Sequence, residues 1–243
     1  MGQLAKLTKE LKSHINKPQA AILQRFFKTG PGEYGAGDVF LGLKVPLQRR
    51  IAGEYTDLGL TDIKKLLDDK IHEFRMVGLF ILVAQYQSAE NQTTRTRIVK
   101  FYLQNSRRVN NWDLVDLSVY KILGDFLVKE MADGKTDLVD KIFNKLISSS
   151  NIWERRMAMV ATFAFLKQGD REYTFKNAKR LLNDTHDLIH KAVGWMLREA
   201  GKRGGEKELR KFLDSYHKKM PRTALRYALE KFSPRDREHY LAN

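Results

Sequence analysis

The chain contains no cysteine, only five prolines in 243 residues, and no apolar run long enough to span a bilayer. The first absence excludes disulfides, thiolate zinc sites, iron–sulfur clusters and a cysteine nucleophile. The last is joined by an amino-terminal stretch, MGQLAKLTKE, with no signal-peptide core and with Lys6 where a myristoylation signal needs Ser or Thr. A soluble, cytoplasmic protein without a membrane partner is therefore expected. Acidic residues are scarce beside basic ones, 29 against 44, which leaves a formal charge of +15. A surplus of this sign and size suits a polyanionic partner such as nucleic acid. Hydrophobic residues make up 42% of the chain, enough for one full core, so a single domain over residues 1–243 is expected.

The positive charge is not spread evenly. Residues 1–110 carry 18 basic and 10 acidic side chains, residues 111–170 carry 8 and 9, and residues 171–243 carry 18 and 10. The two ends form the electrostatic grip, and the near-neutral middle is left for a task that positive charge would not help.

Between the few prolines and 16 glycines, apolar residues recur at spacings of three and four, the period of amphipathic helices. Phe74 to Tyr86 reads as one largely buried helix. After it a pattern of a shorter helix, a break and a more apolar helix recurs four times. The expected pairs are 95–104 with 112–128, 137–147 with 152–166, 173–182 with 188–200, and 206–216 with 221–231. Asn111, Asn151 and Asp187 stand where N-caps are needed, and Pro221 suits a first helical position. Lys28 to Lys44, with five glycines, reads as a flexible connection. It has no Gly-Lys-Ser/Thr and so is no P-loop, and its Tyr34 and Phe40 are weaker ligand candidates.

Aligning the second helix of each pair puts Arg75, Asp116, Arg156, Lys191 and Arg222 in one column. Their separations of 41, 40, 35 and 31 residues give the irregular period of HEAT-like repeats. The expected fold is an all-α superhelical solenoid of antiparallel helix pairs with a concave basic face. On such a face the column's cations, Arg75, Arg156, Lys191 and Arg222, would contact successive phosphates of a duplex. The carboxylate of Asp116 opposes that binding and so points to a local task, the alternative being an ion pair with Arg156. Trp112 lies one helical turn before Asp116, and Trp195 one turn after Lys191. Two indoles and a carboxylate together make a site for a cation. A purine alkylated at N3 or N7 is such a cation and a good leaving group. One anion then suffices to stabilise the oxocarbenium character that develops on the deoxyribose and to orient water.

Three segments together resemble a known family. Asn111-Trp112-Asp113-Leu114-Val115-Asp116 is similar to its Trp-Asp-x-Val-Asp segment, Asn151-Ile152-Trp153-Glu154-Arg155-Arg156 to its Asn-Ile-Trp-x-x-Arg, and Lys191 to Glu199 (KAVGWMLRE) to its Lys-Ala-x-Gly-Trp-x-Leu-Arg-Glu. The family is that of the AlkD-type DNA alkylation repair glycosylases, and the register holds from about Leu41 to Glu199. The resemblance implies release of cationic alkylpurines such as 3-methyladenine and 7-methylguanine from double-stranded DNA, leaving an abasic site without flipping the base. It maps the functional residues onto Trp112, Asp116, Arg156 and Trp195, with the Trp and Asp residues against the lesion's deoxyribose. It departs in the Gly-rich amino-terminal segment and near Met131 to Lys135. No metal or organic cofactor is expected, and a monomer is.

His186 and His190 have the spacing of a zinc-binding pair, but Asp187 stands where a general base Glu would be wanted and no third ligand is apparent, so a capping or surface role is expected. Trp153 is expected to pack in the core, and the basic run 202–219 to be a solvated face. Two rival readings stay open at this point, a non-catalytic nucleic-acid-binding scaffold on the same fold and a protein-binding helical adaptor.

Overall fold

The computed structural model describes residues 2–242, and among them every regular element is helical. The chain divides into two compact units, Met1–Ser118 and Val119–Asn243. The first contains α1 (Gln3–Ser13), α2 (Lys17–Phe26), α3 (Val45–Gly53), α4 (Leu60–Asp68), α5 (His72–Ser88), α6 (Gln92–Gln104) and most of α7 (Trp112–Val119). The second contains α8 (Asp125–Ala132), α9 (Thr136–Ile147), α10 (Ile152–Val160), α11 (Phe163–Lys167), α12 (Glu172–Leu181), α13 (Asp187–Ala200), α14 (Glu206–Tyr216), α15 (Arg222–Ala228) and α16 (Pro234–Leu241). The all-α reading of the sequence holds, with several boundaries shifted.

In the first unit α5 is the spine. It is apolar on nearly every side, from Phe74 to Val83 without an exposed residue, because α3 and α4 both pack on it. The Gly-rich stretch before α3 is irregular, as expected, but its far end is not a flexible connection. The carboxylate of Glu73, with no exposed surface, accepts the backbone amides of Leu41 at 3.0 Å, Gly42 at 2.8 Å and Leu43 at 3.2 Å. Val39 bridges the chain just before α5, donating to Lys70 and accepting from His72. Gly42 has φ +89°, and a Cβ there would lie 2.1 Å from the Asn16 carbonyl oxygen, so only glycine fits this close crossing of the chain.

In the second unit α9 packs on α10, α12 on α13, and α13 on both α10 and α15. The expected helix 152–166 is broken in two. Thr162 donates its hydroxyl to the Met159 carbonyl at 2.7 Å, a local bond that competes with the helical ladder, and the chain restarts as α11. The expected helix 112–128 likewise consists of α7, a wide turn over Tyr120–Gly124, and α8. Asn151 caps α10 by accepting from Trp153 N. Asp187 is the first residue of α13 rather than its cap, which is His186, and Pro221 caps α15 rather than opening it, a one-residue displacement in each case. No helix among the described residues is long and apolar enough to cross a membrane.

Candidate functional site

Trp112 and Asp116 sit one turn apart on α7, both half-buried. The start of this helix is fixed by its own polar residues: Asn111 Oδ1 accepts from Trp112 N at 2.8 Å and Asp113 Oδ1 from Leu114 N at 2.8 Å. Near its end, Ser118 shares a 2.9 Å hydrogen bond with the buried Tyr102 hydroxyl of α6. The Trp112 indole lies face-on against Phe27, with centroids 5.1 Å apart and planes 16° apart, and edge-on to Phe26 at 5.8 Å. Phe26 is 62% exposed, so the aromatic surface around the indole reaches solvent.

Behind these rings lies a buried network of charge. His72, the first residue of α5, places Nδ1 3.2 Å from Asp38 Oδ2 and Nε2 2.9 Å from Asp113 Oδ2. Arg75 Nη2 pairs with Asp38 Oδ1 at 2.7 Å, and Arg75 Nη1 donates to the Asp69 carbonyl. Burial alone would push the His72 pKa down, but the charge and hydrogen bond of Asp113, joined by Asp38, outweigh it and raise it to about 9. For Asp38 the upward push of burial is likewise outweighed by His72 and Arg75, and its carboxyl is held below the ordinary range. At neutral pH His72 is thus an imidazolium that donates from both nitrogens. The network also changes the reading of Arg75. Only 3% exposed and paired with Asp38, it is committed to the interior of its unit rather than presented to a phosphate.

The second unit carries the remaining predicted residues. Trp195 is half-buried on α13, 6.4 Å from Phe163, which in turn meets Tyr120 edge-on at 5.3 Å and lies under the Arg203 guanidinium at 4.9 Å. The neighbouring Gly194 is why α13 can pack close to α15: a Cβ at 194 would be 2.4 Å from the Ala224 carbonyl oxygen and 2.5 Å from Tyr227 Cβ. Arg156, 5% exposed, donates Nη1 to the Leu188 carbonyl and so ties α10 to the start of α13. Lys191 and Arg222 are more accessible. Lys191 pairs with Asp187 at 2.8 Å, and Arg222 donates to the Leu241 carbonyl.

The residues set aside as weak signals have structural work. His186 Nδ1 accepts from Leu188 N, His190 bonds the Asp184 carbonyl, and Trp153 is buried in the core. Burial pushes the His186 pKa down, which suits a ring nitrogen that accepts. Sequence reasoning missed Phe26, Phe27, His72 and Asp38. The available signals were the Phe-Phe pair at the end of α2 and a His-Glu step opening the long apolar helix α5, neither of which names a partner.

A chain whose described regular elements are all helical, with a half-buried indole one turn from a carboxylate and a large positive charge, has the features of helical proteins that handle nucleic acid. Comparison with known proteins makes this specific: a family model described as "DNA alkylation repair enzyme" matches residues 7–232, and the chain belongs to that family. Among solved structures it resembles one titled "Predicted DNA alkylation repair enzyme from Enterococcus faecalis", with a TM-score of 0.69 at 18% identity over 90% of this chain and 97% of that one. At that identity the likeness shows the fold. No curated protein matches.

Proposed function

We propose that this DNA alkylation repair protein is a glycosylase that hydrolyses the N-glycosidic bond of purines alkylated at N3 or N7 in duplex DNA, leaving an abasic site. The observation that carries the reading is the placement of Asp116 one turn from a Trp112 indole whose back is stacked on Phe27 and whose edge meets an exposed Phe26. A π face and a carboxylate one helical turn apart, each half-buried and so partly open to solvent, favour a cation. In the reaction the C1′–N bond breaks and the base departs with the bonding electrons, which cancel its positive charge. Asp116 stabilises the oxocarbenium left on the sugar and holds the water whose oxygen bonds to C1′, and a proton is released. No acid is needed for the leaving group, so a single carboxylate serves. Trp112 contacts the sugar of the lesion beside Asp116, Trp195 contacts the DNA from its own unit, and the base need not leave the stack. Lys191 and Arg222 supply phosphate contacts, and Arg156 supports them by holding the start of α13.

Incubation with randomly methylated duplex DNA, followed by chromatography of released bases, tests the reading. Release of 7-methylguanine and 3-methyladenine with no release of uracil from uracil-containing duplex is expected. Absence of methylpurine release, with duplex binding intact, would favour a non-catalytic DNA-binding role.

A further inference from the structure

We propose that His72 is a positioning residue for Trp112, clamped between Asp38 and Asp113 so that it fixes both the first turn of α7 and the ring stack on which the indole lies. The inference rests on the glycosylase reading for its consequence in catalysis and on geometry alone for the clamp.

Two routes lead from His72 to Trp112. The first is polar: Nε2 donates to Asp113 Oδ2 at 2.9 Å, while the other oxygen of the same carboxylate accepts the Leu114 amide, so the imidazole holds the residue next to Trp112. The second is through the rings. The imidazole lies 4.6 Å from Phe40 with planes 22° apart and 5.1 Å from Phe27, and Phe27 is the ring stacked on the indole. Asp38, on the opposite nitrogen, links the clamp to the Gly-rich segment and lies 3.4 Å from Asn111 Nδ2, beside Trp112 once more. With a carboxylate oxygen on each side, the imidazole satisfies both only when both nitrogens carry hydrogen. The charged groups around it are Asp38 from the Gly-rich segment, Asp113 from α7 and Arg75 from one turn along α5. Glu73 is turned to the amides of residues 41–43. Arg75 opposes the imidazolium, and the two carboxylates favour it. Loss of the ring proton would leave one carboxylate facing a nitrogen lone pair inside the unit, and Asp113 or Asp38 would have to shift, moving α7 or the segment that carries Phe40.

The test is fluorine NMR of protein labelled with 5-fluorotryptophan, the Trp112 resonance being assigned with Trp112→Phe, alongside single-turnover release of methylpurine. In the parent protein the Trp112 resonance is expected to titrate with a midpoint near 9. In His72→Gln it is expected to be displaced at pH 7 and silent between pH 7 and 10. Methylpurine release at saturating enzyme is expected to fall about tenfold or more, with the duplex Kd within about twofold, a split that a general loss of packing would not give. If His72→Gln fails to fold, the parent titration and Asp113→Asn, which removes one carboxylate charge and is expected to lower that midpoint by at least one pH unit, decide the matter. A parent resonance that does not titrate overturns the proposal, as does a His72→Gln protein with the resonance unmoved or with parental release. A parent that releases no methylpurine overturns the glycosylase reading instead, and the clamp then stands or falls on the resonance.

Discussion

Trp112 and Trp195 are presented to solvent alike, both half-buried on a helix, but they are held by opposite means. Trp112 rests on rings whose far side is a buried imidazolium between two carboxylates, with a guanidinium closing the group. Trp195 is set by backbone proximity, the missing side chain of Gly194 letting α13 approach α15, and by a looser contact with Phe163, itself covered by the Arg203 guanidinium. The first seat depends on charge state and therefore on pH, whereas the second depends on volume. The two indoles are expected to fail under different perturbations, and two of four measurements separate them.

The largest effect is expected from pH. The His72 pKa lies near 6.5 when unfolded and about 9 when folded, so its contribution is complete below pH 6.5 and is lost as pH rises through 9. A shift of this size corresponds to roughly 3 kcal/mol. Hydrogen exchange at pH 6.5 and at 9.5, corrected for intrinsic rates, is expected to show lost protection at the start of α5 and α7 and little change in α13. Equal loss in both would remove the contrast. Next comes Asp116→Asn, nearly isosteric, which is expected to lower methylpurine release by about 10²-fold or more while duplex binding holds or tightens, because the anion that stabilises the developing charge is gone. Single-turnover assays at saturating enzyme read this directly, and parental rates would remove Asp116 from the reaction.

Gly194→Ala attacks the volume-dependent seat. The new methyl must displace both the Ala224 carbonyl and the Tyr227 Cβ, a cost of about 1–3 kcal/mol that outweighs the roughly 1 kcal/mol gained from better helix propensity. A lower Tm is the expected readout, and an unchanged one would mean that α15 yields freely. The smallest effect is expected from Lys191→Ala. Its pair with Asp187 is exposed on both sides, so stability is expected to change by only a few tenths of a kcal/mol, while the log–log slope of duplex affinity against salt becomes shallower by about 0.9. An unaltered slope would take Lys191 out of the phosphate contacts.

Much of this molecule was legible in its sequence because the information is local. Apolar spacing placed the helices between 74 and 231 to within a few residues but missed Pro234–Leu241, and Asn111 and Asn151 marked helix starts with the side-chain acceptors seen in the structure. The breaks at Tyr120–Gly124 and at Thr162 were not foreseen, since an unbroken apolar period hides a widened turn or a back-bonded hydroxyl. The column of residues set Asp116 apart as a carboxylate one turn from an indole, a spacing that the helix 112–119 keeps, yet spacing could not tell an exposed cation from a buried one. Arg75 and Lys191 fall in one column when the helices are aligned by sequence, and what separates them is Asp38, far away in the chain. His72 was hidden for the same reason, its partners lying 34 residues before it and 41 after it.

The anchoring of the Gly-rich segment by Glu73 also orders events during folding. The acceptor for the amides of Leu41, Gly42 and Leu43 is 30 to 32 residues downstream, so the segment cannot close until α5 has formed and the entropy of that loop has been paid. Its second tether, Asp38 to His72, is completed only when Asp113 arrives on a later helix. A chain emerging residue by residue thus leaves His72 Nε2 without its Asp113 partner until α7 is made, and the contacts of the platform beneath Trp112, being among the most distant in sequence, are expected to form late in its unit.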